Sequence, residues 1–164
     1  AFSRRDICFS SSISILFILS NKLLEDKYLQ YILGVLLLGK YLYNEQTKKG
    51  YKVEVKTTTN KLTKFKRFEE WHTDKVYYWI MSSKHENIIE DDLVYCFVHI
   101  EDVGSLPKFF LVKSKDVAKY VREQHVFYQK IPREKPVKDG SMRQFRIDVN
   151  DPNGYENNWN ILDN

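Results

Sequence analysis

Polar and apolar residues alternate most regularly from Tyr51 to Thr57. Tyr51, Val53, Val55 and Thr57 fall on one side of an extended chain, and Lys52, Glu54 and Lys56 on the other. This predicts a strand with one buried and one polar face. Ahead of it, Val35 to Tyr43 is a nearly unbroken apolar run and Asn44 to Gly50 a polar turn, so the two runs predict a hairpin. Further upstream, Asn21 sits as an N-cap before Leu23, Leu24, Lys27, Tyr28 and Tyr31 at helical spacing. That predicts a helix from about Lys22 to Leu33, broken near Gly34.

Downstream, Tyr77 to Met81 reads as a short strand, and Leu93 to Ile100, dominated by valine and aromatic residues, as a firmer one. Gly104-Ser105-Leu106-Pro107 supplies a turn, after which Lys108 to Lys113 returns as a hairpin partner. Ser114 is expected to cap a helix that carries Asp116 in its first turn and runs to about Tyr128. Pro132 to Gly140 is a charged loop, and Met142 to Val149 a last strand with Phe145, Ile147 and Val149 inward. The tail is expected to pack through Trp159, Ile161 and Leu162.

Composition sets outer bounds. A chain of 164 residues with 43% apolar and 15% aromatic side chains is long enough for one domain with a sizeable core. Its net charge of +4 is modest, but it is unevenly spread. Lys and Arg outnumber acids across Gln46–Lys75 and Lys108–Arg146, whereas Glu86–Asp102 holds Glu86, Glu90, Asp91, Asp92, Glu101 and Asp102 with neither Lys nor Arg. Two basic stretches flanking an acidic one suggest a polyanionic partner, and a solvated surface gives the same pattern. Cys8 and Cys96 lie far apart in apolar runs and read as buried free thiols in a reducing, cytoplasmic setting. The scattered His72, His85, His99 and His125 lack zinc-ligand spacing. Ile7 to Leu19, behind Arg4 and Arg5, loosely imitates a signal peptide, but its serines and the missing small-x-small site argue for a buried segment. Tyr28 to Tyr43, interrupted by Lys40, falls short of the roughly 20 residues of a membrane span.

The chemistry concentrates on the first strand. Residues two apart share a face about 6.6 Å along the chain, so Glu54 and Lys56 project together. A carboxylate there can hold a divalent cation such as Mg²⁺, which prefers oxygen ligands, and a neighbouring ammonium can steady charge developing on a phosphate. The plainer reading is a solvent-facing strand with an ion pair. Phe65, Phe68 and Trp71, interleaved with Lys61, Lys64, Lys66 and Arg67, form the best nucleic-acid contact candidate. No G-x-S-x-G elbow, Walker loop or G-x-G-x-x-G turn occurs among the six glycines.

The segment "YKVEVKTTT" resembles the E-x-K half of the PD-(D/E)xK nuclease signature, including a run of threonines after the lysine. "LVYCFVHI", "KFFLVKSKDVAKYV" and the late "ENNWNIL" are similar to a restriction-endonuclease-like subgroup of that superfamily, and the resemblance spans about Val35 to Asp163. It implies an α/β fold: a restriction-endonuclease-like core at 35–164 with a mixed, mostly antiparallel central sheet flanked by helices, behind a divergent segment at 1–34. It further implies a metal-dependent DNA endonuclease. Glu54 and the Val55 carbonyl would bind Mg²⁺ or Mn²⁺, Lys56 would position the attacking water, and Thr57 or Thr58 would touch the phosphate backbone. Lys61, Lys64, Lys66 and Arg67 would neutralise DNA charge, and a homodimer would be in keeping with the family.

The chain departs from the family where the signature's first Asp belongs. No acid occurs between Lys27 and Asn44, and Lys40 would lie roughly opposite Glu54 in the hairpin. Glu45 lies in the turn, and Glu25 or Asp26 would have to reach in from the upstream helix. The alternatives are therefore a catalytically inactive DNA-binding relative of the same fold and, from a different class, a membrane-associated protein anchored by Ile7 to Tyr43.

Overall fold

A computed structural model describes residues 41–44, 47–69, 71–72, 74–102, 105–132, 134 and 140–163. The expected helix at Lys22–Leu33, the stretch Ile7–Leu19, Cys8, Glu25, Asp26, Lys40 and Glu45 lie outside the described residues, as does most of the loop after Pro132.

Strands β1 (Tyr41–Asn44) and β2 (Lys49–Thr58) form the expected hairpin, antiparallel, with Tyr41 opposite Lys52 and Asn44 opposite Lys49. On the other side of β2 lies β4 (Leu93–His99), which runs parallel to it, and β5 (Lys108–Lys113) pairs antiparallel with β4. The result is a four-stranded mixed sheet in the order β1-β2-β4-β5. A parallel pair needs a long crossover. Here the crossover carries β3 (Val76–Ser82), which leaves the first sheet and pairs antiparallel with β6 (Met142–Asp148) as a second, two-stranded sheet. Helix α1 (Ser114–Lys130) follows β5 without a break.

The two sheets meet through aromatic side chains. Leu93, Tyr95 and Phe97 of β4 and Phe110 and Val112 of β5 pack against Tyr77, Trp79 and Met81 of β3, Phe145 and Ile147 of β6, and Val117 and Val121 of α1. Phe97 stacks on Phe145 with ring centroids 4.6 Å apart, and Trp79 Nε1 donates to the Val98 carbonyl at 3.1 Å. On the opposite face Tyr51, Val53, Val94, Cys96, Val98, Phe109 and Leu111 are closed off by Ile161 and Leu162 of the short helix Trp159–Leu162. Strand β4 is buried on both faces, which is why it reads as a continuous apolar run.

The α/β class and the mixed sheet agree with the sequence reading, and each expected strand from Tyr51 onward is present within a few residues. Two expectations need correction. The face of the sheet that α1 covers is expected to carry helices alone, yet a second sheet shares it; the expected helix at Lys22–Leu33 lies outside the described residues. Ser114 is the first residue of α1 rather than its cap. Its hydroxyl donates to the Glu90 carbonyl at 2.7 Å and accepts the Glu90 N–H at 2.8 Å, and Lys113 holds the cap position without a side-chain bond. A serine that secures a neighbouring loop in this way is not available to its own helix. Among the described residues no helix is long and apolar enough to cross a membrane.

Candidate functional site around Glu54

The polar face of β2 looks only partly out to solvent. In the parallel ladder Lys52 lies beside Leu93, Glu54 beside Tyr95 and Lys56 beside Phe97, so the three polar residues share the face on which the second sheet packs. Glu54 and Lys56 sit at the margin of that packing, with side chains 33% and 27% exposed. Lys56 Nζ stands 2.7 Å from Glu54 Oε1. His85 Nε2 approaches the same oxygen at 3.5 Å.

His85 arrives from the short helix Ser83–Glu86 that ends β3. Its ring is buried, and the Ser82 backbone N–H donates to Nδ1 at 3.1 Å. Nδ1 also lies 3.0 Å from the Ser82 carbonyl and 3.1 Å from the Ser82 hydroxyl, so the ring is anchored on this side by the start of its own helix. The Tyr95 hydroxyl is buried on the same side. Burial first, and the Glu54 charge second, hold that phenol well above its ordinary range, so it stays protonated.

Opposed forces act on Glu54. Burial is the largest and pushes the carboxyl up, but the hydrogen bond and charge of Lys56, followed by those of His85, outweigh it and leave the carboxyl below its ordinary 4.5. Glu54 is thus a carboxylate, flanked by the Lys56 ammonium and the His85 imidazole.

A Mg²⁺ or Mn²⁺ ion asks for several oxygen ligands. Among the described residues no group of three or more His, Cys, Asp or Glu side chains is placed to hold a metal. Glu54 has a cation and an imidazole as its nearest polar neighbours, so these described donors do not by themselves make a Mg²⁺ site.

The other sequence-derived residues are dispersed. Val55 is partly buried against the first core and Thr57 is exposed. Thr58 is buried, and its Oγ1 accepts the Asn60 N–H at 3.2 Å, closing the turn after β2. Lys61, Lys64 and Lys66 are exposed, and Arg67 sits in the short helix Lys66–Phe68. The aromatic residues between them serve packing instead of display. Phe65 meets Tyr78 edge-on at 5.6 Å, Phe68 stacks on Tyr128 at 6.1 Å, and Trp71 meets Tyr120 at 5.4 Å. Part of the acidic stretch pairs within the molecule. Glu90 and Asp92 lie 2.6 and 3.4 Å from Lys52 Nζ, and Glu86 pairs with Arg143.

His85 and Tyr95 escaped the sequence reading for different reasons. Tyr95 is indistinguishable from the apolar strand that holds it, whereas His85 reaches Glu54 only through the crossover, for which Ser82-Ser83-Lys84-His85-Glu86 carries no periodic signal. No family model, no curated protein and no solved structure matches this chain.

Proposed function

We propose that the chain is a DNA-binding relative of the restriction-endonuclease-like nucleases in which Glu54 and Lys56 serve as an ion pair. The observation that carries this reading is the 2.7 Å approach of Lys56 Nζ to Glu54 Oε1, which joins the signature's carboxylate to its own lysine. The exposed Lys61, Lys64 and Lys66 supply the positive charge that phosphate binding requires. Fluorescence anisotropy with a labelled duplex across a salt series tests it. Changing Lys61, Lys64, Lys66 and Arg67 together to Ala is expected to weaken binding and to lower the salt slope by about 0.9 for each phosphate no longer neutralised. A slope unchanged in that variant would overturn the assignment of these residues.

The second reading is a Mg²⁺-dependent endonuclease, and one observation favours it: the Glu54 carboxylate is a third exposed and therefore reachable. It requires further carboxylates beyond those described, for which Glu25, Asp26 and Glu45 are the candidates. Calorimetric titration with Mg²⁺ or Mn²⁺ separates the two readings. The nuclease reading expects binding heat that disappears in Glu54→Gln, together with plasmid cleavage that disappears in Lys56→Ala; the binding-only reading expects neither.

A further inference from the structure

The outer face of the β3–β6 sheet carries a cavity of about 500 Å³ whose lining includes neither Glu54 nor Lys56. Lys64, Phe65, Lys66, Tyr128, Arg143 and Arg146 are among the residues that line it. Arg146 is the unusual member. Only 5% of the residue is exposed, and its Cζ lies 4.7 Å from the Phe65 ring centre and 4.3 Å from that of Phe68. Nη2 donates to Gln144 Oε1, while Nε and Nη1 are buried without a hydrogen-bond partner. Burial is the largest influence on Arg146, and the neighbours that act on it or feel its charge include Tyr120, Tyr78, Tyr128 and His72. The nearby Asp148 directs one oxygen to His72 Nδ1, at 3.1 Å.

Arg143, on the same strand, shows what a satisfied neighbour looks like. Its Nε bonds Glu86, and its Nη1 donates to the carbonyls of Gly140 at 2.6 Å and Met142 at 3.1 Å. Leaving a guanidinium buried with two unmet donors is expensive, because aromatic faces offset only part of the lost hydration. A guanidinium is also the side chain best matched to phosphate oxygens. Lys64 and Lys66, both exposed, add positive charge to the lining, and the cavity's volume falls within the range of small-molecule sites.

We infer that this cavity binds the phosphate group of a nucleotide, drawn by the positive charge of the Arg146 guanidinium in its lining. Lys64 and Lys66 balance the remaining negative charge. Phe65 and Tyr128, which also line the cavity, add apolar surface toward which a base or sugar can pack. Behind Arg146 a buried chain of hydrogen bonds runs from Asp148 through His72, whose Nε2 stands 2.7 Å from the Tyr120 hydroxyl, and Tyr120 acts electrostatically on the guanidinium. This site does not rest on the ion-pair reading of Glu54 and Lys56.

Two sources of the phosphate are open to the same chemistry, a free nucleotide and the phosphorylated end of an oligonucleotide. Calorimetric titration of the full chain at low salt with AMP, adenosine and inorganic phosphate, beside a single-stranded oligonucleotide with and without a 5′-phosphate, distinguishes them. AMP or the 5′-phosphorylated oligonucleotide is expected to bind at least about tenfold more tightly than its phosphate-free counterpart, the scale of one charge-assisted hydrogen bond. Arg146→Gln is expected to abolish that preference without weakening binding of blunt duplex lacking terminal phosphates. Because Arg146 is buried, the exposed pair Lys64→Ala and Lys66→Ala gives a second measure, with affinity for the phosphorylated ligand falling several-fold while the circular-dichroism spectrum is unchanged. Equal binding of phosphorylated and unphosphorylated ligands by the wild type overturns the proposal, and so does a preference that survives both variants.

Discussion

His85 Nε2 lies 3.5 Å from Glu54 Oε1, although the two residues are separated by 31 positions and belong to different layers of the fold. The approach exists because the crossover between β2 and β4 dips into the second sheet and returns through the short helix Ser83–Glu86. It converts a surface ion pair into a three-membered cluster with a partly dry side. Exposed ion pairs contribute little to stability. The chemical state of Glu54 is the more informative property of this one.

Removing Lys56 reverses the balance on Glu54. Burial, the largest influence, pushes the carboxyl up, and Lys56 is the main force holding it down. In Lys56→Ala the Glu54 carboxyl is therefore expected to titrate higher than in the wild type, as read from its side-chain carbon resonance. The corresponding sign for stability is fixed: a depressed carboxyl contributes above the unfolded value of about 4.5, and the contribution is lost as pH falls through the folded value. A Glu54 titration that moves downward or stays in place in Lys56→Ala would show that the ion pair does not govern this carboxyl.

The face-to-face stack of Phe145 on Phe97 joins the two sheets where both rings are almost fully buried. Phe145→Ala leaves a void that Tyr120, which meets the Phe145 ring edge-on at 4.9 Å, and Tyr155 can only partly fill. A loss of about 3–5 kcal/mol in unfolding free energy is expected from chemical denaturation. A loss below about 1 kcal/mol would mean that the second sheet is not bound to the first through this ring.

How much of this was legible in the sequence follows from the range over which each signal acts. The strand Tyr51–Thr57, its hairpin partner and the pair Lys108–Lys113 are local patterns, and alternation or apolar runs are enough to find them. The same alternation put Glu54 and Lys56 on one face. It could not say what that face meets, because the register of Glu54 with Tyr95 and the departure of β3 into a separate sheet are long-range facts. Alternation in β6 revealed Phe145 and Ile147 but gave no reason to single out Arg146 on the other face, since an arginine there usually faces water. Phe65 and Phe68 belong, in sequence, to the best nucleic-acid contact candidate, and in the fold they flank that arginine.

Cys96 is buried in the first core, and burial pushes its thiol up to about 12. Little thiolate forms near neutral pH, and a reagent reaches the sulfur only where the packing around the sheet opens. In a Cys8→Ser background, reaction of Cys96 with a thiol-specific chromogenic disulfide is expected to follow global unfolding, rising with denaturant in step with the loss of tertiary signal. Rapid stoichiometric labelling of the native chain would contradict the packing of Val94, Cys96 and Val98 beneath Ile161 and Leu162.

His72 gives the fold a pH dependence whose direction can be worked out. Asp148 Oδ2 lies 3.1 Å from Nδ1 and the Tyr120 hydroxyl 2.7 Å from Nε2, so the neutral ring donates to the carboxylate and accepts from the phenol. Burial is the largest influence and lowers the His72 pKa, Asp148 opposes it, and the Arg146 charge lowers it further; the net position is below the ordinary 6.5. As pH falls, the unfolded chain takes up this proton before the folded one does. Stability from His72 is therefore complete above about 6.5 and declines as pH drops through that value toward the folded pKa. Denaturation midpoints measured from about pH 8 to pH 5 are expected to fall more steeply for the wild type than for His72→Phe, which has no proton to gain. The comparison isolates His72, because every other titratable group is common to both proteins. If the two curves run parallel, or the wild type gains stability relative to the variant on acidification, His72 is not held neutral in the fold.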